Sequence, residues 1–190
     1  TQQSIGGTLT IYSFKISGHF ATFRRPDTNS IYLTYNNPPY SVILGILGSI
    51  AGLSGYNPKR KQDIDSFPHF YQDISSIWIS FHPIFSERPI FQKQMVTSNN
   101  YHGYGSDAGC FQITEQIIIA PTWKAYFYDE TGQSKNIIEN LRNKQTVFTP
   151  YLGKNEFRAE ISNFEELENA VEITEEVKDK KSMKFDSVTL

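Results

Sequence analysis

Strand-like and helix-like segments alternate along this chain, and their order limits the fold more than any other feature. Apolar and polar residues roughly alternate from Leu9 to Ser17 (LTIYSFKIS), which is typical of a half-buried strand. Pro38-Pro39-Tyr40-Ser41 then opens a helix, because proline is favoured in a first helical turn and serine near a helix start. We expect this helix to run to about Leu53.

The later segments complete the pattern. Ile74 to Phe81 is predicted to be a second strand, and Glu115 to Tyr128 contains a third, in which Pro121 marks a bulge or break. Ser134 to Lys144 has apolar residues at helical spacing, and Asn155 to Ile161 is the fourth strand. The order β-α-β-β-α-β predicts an α+β, ferredoxin-like fold, which RNA-recognition domains also use. The predicted core is Phe14, Ile16, Leu44, Leu47, Ile77, Ile79, Ile117, Ile119, Ile138, Leu141 and Phe157.

A long insertion separates strands two and three. It runs from His82 to Thr114, whereas a hairpin loop needs only about 2–5 residues. We expect Phe91–Val96 and Cys110–Thr114 to pair as a projecting arm with a polar, glycine-rich tip. The predicted domain is then residues 1–170, including an arm at about 82–114. A charged C-terminal tail at 171–190 is expected to be ordered by partners.

Charge is spread unevenly along the 190 residues. The formal net charge is −2, whereas a free-standing nucleic-acid-binding domain is usually strongly basic. However, residues 1–125 hold 9 Lys/Arg and 7 Asp/Glu, and residues 126–190 hold 9 and 13. A modest basic patch is therefore expected in the first two-thirds of the chain.

Several function classes are disfavoured. The single cysteine, Cys110, rules out an intramolecular disulfide and a cysteine-based zinc cage. Neither HExxH nor GxxxxGK[ST] is present, so we expect no metal and no nucleotide cofactor. The longest apolar stretch, Val42 to Leu53, is shorter than the roughly 20 residues of a membrane-spanning helix. With no visible secretory signal, we expect no membrane association and a cytoplasmic location.

The predicted first helix has an unusual glycine pattern. Gly45, Gly48 and Gly52 fall on one face, which implies that something approaches its backbone closely. A sheet, another helix and an RNA backbone all fit. The helix N-terminus, near Ser41 and Gly45, also offers free N–H groups and a positive dipole end to a phosphate.

Three segments together resemble a known family. They are Ser17–Arg25 (SGHFATFRR), Asn37–Gly52 (NPPYSVILGILGSIAG) and Thr149–Phe157 (TPYLGKNEF). They resemble, in this order, the strand-one end, the proline-rich helix entry and the Leu-Gly turn of the fifth CRISPR-associated protein family, written here as Cas-five. The resemblance covers roughly residues 9–165.

This resemblance implies a ferredoxin-like domain of the RAMP superfamily, with the 82–114 arm as its thumb. It implies a non-catalytic subunit of a type I CRISPR Cascade effector complex, acting in antiviral defence in a prokaryotic cytoplasm. Such a subunit binds the 5′ handle of the crRNA and caps the backbone filament. Its partners are the crRNA, the backbone subunit, the large subunit and, through the complex, target DNA. Chain length and the Pro-Pro-Tyr segment are most similar to the type I-B branch.

Candidate RNA-binding residues lie in these segments and in the arm. Arginine suits phosphate because its planar fork donates two parallel hydrogen bonds. Tyrosines at the arm tip suit bases, since stacking contributes about 1–3 kcal/mol per base. The predicted RNA-binding residues are Gly18, His19, Arg24, Arg25, Ser41, Gly45, Lys93, Tyr101, His102, Tyr104 and Lys154.

Two alternatives stay open. Some type I-C relatives of the family cut the crRNA precursor without metal, which requires a base and an acid. Lys93, Tyr101, His102 and Tyr104 have suitable side chains, but no fixed spacing specifies such a site, so we predict no catalytic residue. The other alternative is a protein scaffold or an unrelated RNA-recognition domain, although the third strand lacks the K/R-G-F/Y-G/A-F pattern.

Overall fold

The computed structural model describes residues 9–55, 68–85, 90–100 and 111–170. Helices and strands alternate in this part of the chain, and the domain is α+β. The elements are β1 (Leu9–Ser17), β2 (Phe20–Ala21), β3 (Ile31–Tyr32), α1 (Tyr40–Ala51), α2 (His69–Ile74), β4 (Trp78–Pro83), β5 (Lys93–Asn100), β6 (Phe111–Ile119), β7 (Thr122–Tyr128), α3 (Lys135–Arg142) and β8 (Glu160–Ala170). No described helix is long and apolar enough to span a membrane.

The larger sheet has four antiparallel strands in the order β4-β7-β1-β8. The chain passes from β1 to β4 through α1 and α2, and from β7 to β8 through α3. Both long connections therefore contain helix, as the predicted β-α-β-β-α-β order requires. β1 begins and ends where the alternation predicted, and α1 ends at Ala51, before the left-handed Gly52 (φ +79°).

The core forms where these strands and helices meet. Alternate residues of β7 are buried, and Trp123 and Phe127 join Phe14 and Ile16 of β1 and the buried side chains of α1 in one cluster. Of the predicted core residues, Phe14, Ile16, Leu44, Leu47, Ile77, Ile117 and Leu141 are buried. Ile79, Ile119, Ile138 and Phe157 are only partly buried.

A second, smaller sheet is centred on β6. It has the order β2-β6-β3, and β5 pairs with β6 in antiparallel register from Lys93↔Ile118 to Asn100↔Phe111. The two arm segments are therefore paired, over a longer stretch than predicted. The predicted tip, 97–109, falls largely in residues 101–110, which lie outside the described residues.

Two strands begin later in the structure than the sequence predicted. The second was predicted from Ile74, but Ile74 ends α2 and the strand begins at Trp78. Ile74 and Ile77 are apolar because they fill the core at a helix end and a turn, which a strand-like run of side chains does not reveal. The fourth was predicted from Asn155, but β8 begins at Glu160, because hydrogen bonds from Leu152 N to Phe157 O (2.7 Å) and from Phe157 N to Lys154 O (2.9 Å) close a turn instead.

The predicted third strand is two strands in different sheets. β6 ends at Ile119 and β7 begins at Thr122, so the break lies at Ala120-Pro121, where the sequence predicted a bulge or break. Ala120 has φ +45° and its N–H donates to His19 O at 2.8 Å. This corner links the smaller sheet to the larger one.

Candidate nucleic-acid interface

The predicted cationic residues lie on both faces of the smaller sheet. Side chains alternate along a strand, and paired residues share a face. Lys93 pairs with Ile118, so it lies on the face of Gln116 and Ile118, opposite the face of Glu115. Tyr32 pairs with Glu115 and shares its face.

The Arg24 cluster, defined as Arg24, Tyr32, Glu115 and Lys154, lies on the Glu115 face. The Arg24 guanidinium stacks on the Tyr32 ring, 3.6 Å from the ring centroid. Lys154 makes an ion pair with Glu115, whose side chain is only 11% exposed. Arg24 is exposed, and no carboxylate of the described residues lies within ion-pair distance of it. A stacked guanidinium keeps its N–H edge available, so Arg24 is suited to bind a phosphate.

The Arg25 cluster, defined as Arg25, Asp27, Tyr35 and Lys93, involves the opposite face. Arg25 Nε and Nη2 donate to the two carboxylate oxygens of Asp27 at 3.0 and 2.6 Å. This hydrogen bonding and the Asp27 charge raise the pKa of Arg25, with a small further contribution from Tyr35, while the same hydrogen bonding lowers the pKa of Asp27. Arg25 is therefore already neutralised by a neighbour.

Lys93 is the less compensated cation of that cluster. Its Nζ donates to the backbone carbonyl oxygen of Thr34 at 3.2 Å. Partial burial lowers the pKa of Lys93, and the nearby Arg25 charge lowers it further. An anion bound beside Lys93 would offset both effects. Arg24 and Arg25, adjacent in sequence, thus belong to different clusters.

Lys154 lies in the turn 152–157. Glycines at positions 18 and 153 allow this turn to pack closely against the residues beside it. A Cβ on Gly18 would lie 2.7 Å from Leu152 Cδ1 and 2.9 Å from Arg158 O. Gly153 has φ +90°, and a Cβ there would lie 1.6 Å from the carbonyl oxygen of Thr22. Thr22 N also donates to Leu152 O at 3.1 Å. The structure thus gives Gly18 a packing role, and the packing fixes the position of Lys154.

The glycine face of α1 is approached by another helix. A Cβ on Gly48 would lie 2.8 Å from Phe70 Cβ of α2, and one on Gly45 would lie 3.8 Å from the Phe70 ring. The sequence left open whether a sheet, another helix or an RNA backbone approaches this face. At Gly45 and Gly48 the close neighbour is another helix, α2. Ser41 is exposed in the first turn of α1, whose N-cap Pro39 makes no side-chain capping bond.

The structure brings together some of the predicted residues and separates others. It places Arg24 with Lys154 and Arg25 with Lys93, and it puts exposed His19 at the edge of a groove beside the turn that holds Lys154. Ser41 and Gly45 belong to α1. Tyr101, His102 and Tyr104 lie outside the described residues. No group of three His, Cys, Asp or Glu side chains that could hold a metal ion occurs in the part of the chain that the structure describes.

Sequence reasoning missed Tyr32, Tyr35 and Glu115. The sequence predicted a loop over Gly18 to Asn37, although Ile31–Tyr32 within it is a short strand that pairs with β6. The pairing of a distant Lys with Glu115 leaves no local pattern in the sequence.

Part of the chain is similar to a known protein family. A family model described as CRISPR-associated protein (Cas_Cas5) matches residues 11–95. This range contains β1, both arginines and α1, and thus two of the three segments that carry the resemblance noted above. The family model matches less than half of the 190 residues, and over this range the chain is similar to the CRISPR-associated Cas5 family. A search of curated protein sequences found no match to this chain.

One solved structure supports the fold, and two further ones match more weakly. The chain is similar to a chain of the structure described as "CRISPR RNA-guided surveillance complex", with a TM-score of 0.52 and 12% identity, covering 77% of this chain and 58% of that one. A chain of "Cryo-EM structure of the Type III-B Cmr-beta bound to cognate target RNA" matches with a TM-score of 0.49 and 19% identity, covering 85% and 61%. "Crystal structure of a CRISPR protein from Archaeoglobus fulgidus" matches with a TM-score of 0.41 and 12% identity, covering 83% and 64%. At such identities the first match supports a common fold, and this chain spans 58% of that relative's length.

Proposed function

We propose that this chain binds the 5′ handle of a crRNA as a non-catalytic subunit of a type I Cascade effector complex. The observation that carries the proposal is Arg24, an exposed arginine that stacks on Tyr32 and has no carboxylate partner among the described residues. A stacked, unpaired guanidinium is suited to a phosphate or a base of single-stranded RNA. Such an arginine in a chain with a net charge of −2 favours a local contact over a broad basic surface.

The sheet topology supports a finer description of the fold. We infer a ferredoxin-like RAMP domain over residues 1–170, from the strand order β4-β7-β1-β8 with helix in both long connections. The paired β5 and β6 correspond to the proposed thumb. Residues 171–190 are the proposed tail that partners order.

The partners follow from the family and from the surveillance complex whose chain shares the fold. We propose that the chain caps the backbone filament in a prokaryotic cytoplasm, contacting the backbone subunit and the large subunit, and that it meets target DNA only through the complex. The type I-B branch is part of this proposal and rests on the Pro-Pro-Tyr segment.

The ribonuclease alternative needs a base and an acid close together. Of its four candidates, only Lys93 lies in the described residues, where its Nζ donates to the Thr34 carbonyl oxygen. Because no fixed spacing in the sequence specifies such a pair, we propose that the chain is not an enzyme. Incubation of the isolated chain with crRNA precursor tests this: no cleavage is expected, and cleavage that is lost in His102→Ala or Tyr104→Ala would establish the nuclease.

Substitution of Arg24 tests the RNA-binding proposal. Arg24→Ala in the co-expressed complex should lower the crRNA recovered per complex by roughly tenfold, since charge-assisted contacts contribute about 1.5–3 kcal/mol. The measurement is the ratio of RNA to protein in the purified complex. Because Arg24 is exposed, the thermal unfolding midpoint of the variant should stay close to that of the wild type.

Arg25→Ala is the matched control. It removes the same charge one residue away, but from a guanidinium that Asp27 already neutralises, so crRNA recovery should fall less than in Arg24→Ala. Equal recovery in wild type and Arg24→Ala, with the complex assembled, would favour the scaffold alternative.

A further inference from the structure

A groove lies beside the Arg24 cluster, between the end of α3 and the start of β8. Its volume is about 1040 Å³, at the upper end of the roughly 300–1,000 Å³ of pockets that hold small ligands. The walls come from His19 and Phe20, from the segment 141–150 and from residues 156–164. The proposed handle contact at Arg24 does not use this groove.

The cations of the groove are not equivalent. Arg142 is held by Glu166 through two hydrogen bonds, of 2.6 and 2.8 Å, which raise the pKa of Arg142. Lys144 and Arg158 also line the groove, and neither has an ion-pair partner among the described residues. Both side chains are exposed. Two cations are therefore available to an anionic ligand.

An aromatic pair lines the same groove. The rings of Phe20 and Phe157 are 5.8 Å apart and tilted by 52°, and Phe20 is 40% exposed although it is apolar. One exposed ring, Phe20, packed on the partly buried ring of Phe157 therefore lies beside unpaired cations. Aromatic rings with cations beside them are the combination that binds single-stranded nucleic acids, in which bases stack on rings and phosphates contact cations.

The groove is continuous with the Arg24 cluster through a series of contacts. Arg24 stacks on Tyr32, which pairs with Glu115, and Glu115 holds Lys154. The Lys154 ammonium lies 5.9 Å from the centroid of the Phe157 ring, which contacts Phe20 in the groove. These contacts bring the Arg24 cluster next to the groove through Lys154 and Phe157, with the Glu115 carboxylate neutralised by Lys154.

Two carboxylates limit how a ligand fits. Glu156 and Glu160 also line the groove, and neither is ion-paired in the described part of the chain. Carboxylates repel phosphates but accept hydrogen bonds from the amino groups of cytosine and adenine. The backbone of the ligand should therefore follow Lys144 and Arg158, with amino-bearing base edges turned towards the carboxylates.

We propose that this groove binds unstacked nucleotides of single-stranded RNA, with phosphates on Lys144 and Arg158 and a base on Phe20 and Phe157. The inference rests on the proposed function, because it extends the RNA path from the Arg24 cluster. It adds a second RNA-binding region and a preference for cytosine and adenine over uracil in the groove.

The test uses the full chain and short fluorescein-labelled oligo(C), oligo(A) and oligo(U) RNAs, with binding followed by fluorescence anisotropy. The groove variant combines Arg158→Gln with Lys144→Asn, because asparagine tolerates the left-handed conformation of Lys144 (φ +54°). Lys135→Gln, an exposed lysine at the start of α3 that does not line the groove, is the control. A thermal unfolding curve of each variant verifies that it folds.

We expect the groove variant to bind oligo(C) and oligo(A) roughly tenfold more weakly than wild type. Its slope of log K against log salt should become shallower by about 0.7 for each phosphate that the variant no longer neutralises. Phe20→Ala should weaken binding about fivefold or more, since it removes a stacking ring. The control should bind like wild type. Tighter binding of oligo(C) and oligo(A) than of oligo(U) should disappear in Glu156→Gln combined with Glu160→Gln.

The outcomes separate this inference from the handle proposal. If the groove variant binds like wild type while Arg24→Ala loses RNA, the groove inference is wrong and the handle proposal stands. If only the groove variants lose RNA, the groove is confirmed and Arg24 does not bind the handle. If neither loses RNA, or if the groove variants lose only a partner subunit from the complex, the groove does not bind RNA.

Discussion

At the residue scale, side chains alternate between two faces in an extended segment. This alternation decides which of the two adjacent arginines is available to bind RNA. Arg24 lies on the face of Glu115 and stacks on Tyr32, whereas Arg25 is bound by Asp27. A sequence shows two equivalent arginines. Their difference arises from the pairing of Arg24 with Thr34 and of Tyr32 with Glu115, positions that lie far apart in the chain.

A single glycine fixes the turn that carries Lys154. Gly153→Ala adds a Cβ to a residue with φ +90°, and that Cβ would lie 1.6 Å from the carbonyl oxygen of Thr22. The turn must move, so we expect the free energy of unfolding to fall by about 2–4 kcal/mol. Chemical denaturation of the variant and the wild type measures the loss.

Gly55→Ala is the control for this prediction, because a Cβ at Gly55 meets nothing within 4 Å. Its stability should stay within about 0.5 kcal/mol of the wild type. Equal stability of Gly153→Ala and Gly55→Ala would contradict the packing of the turn against Thr22.

At the element scale, Asp129 organises the connection from β7 to α3. Its Oδ1 accepts from Thr131 N and Thr131 Oγ1 at 2.8 and 2.7 Å, and its Oδ2 accepts from Ser134 N at 2.7 Å. Burial alone would raise the pKa of Asp129, but these hydrogen bonds outweigh it and the pKa is lowered. The charged carboxylate therefore stabilises the start of α3.

This arrangement predicts a pH-dependent loss of stability. A carboxyl group with a lowered pKa in the folded state stabilises the fold above its unfolded pKa of about 3.9, and the contribution is lost as the pH falls through the folded value. Asp129→Ala should lower the free energy of unfolding by about 1–2 kcal/mol at neutral pH, and the difference from wild type should shrink below about pH 4. Denaturant unfolding of both proteins at neutral pH and below about pH 4 measures this difference in the free energy of unfolding.

Asp73→Ala, which removes an exposed carboxylate from α2, is the control and should show a smaller loss at neutral pH. A difference between Asp129→Ala and wild type that persists unchanged in acid would mean that the carboxylate charge is not what stabilises this connection.

The sequence was sufficient for elements with strong local signals. β1, α1, α3 and the break at Pro121 lie where periodicity and proline predicted them. The starts of β4 and β8 were wrong because Ile74 and Phe157 are apolar for tertiary reasons, in a helix end and a turn. The sequence named Lys154 as a candidate but not its ion pair with Glu115, because the two residues lie 39 positions apart.

At the scale of the whole molecule, the similarity to the Cas5 family model and the unpaired Arg24 support the proposed RNA binding by a chain of net charge −2. The acidic excess lies in the last third of the chain, and β8 carries Glu165, Glu166 and Glu168 along an exposed sheet edge. Charges on an edge strand oppose pairing with another chain. We therefore expect RNA to bind at the smaller sheet and in the groove at the start of β8, away from this acidic part of the edge.

The most direct test is to purify the chain with its co-expressed neighbouring subunits after ultraviolet cross-linking, and to sequence both the bound RNA and the cross-linked peptides. Our account predicts mature guides with an intact 5′ handle, and cross-links from handle nucleotides to peptides that contain Arg24 or Lys154. An assembled complex without RNA, or cross-links to this chain from spacer nucleotides alone, would contradict it.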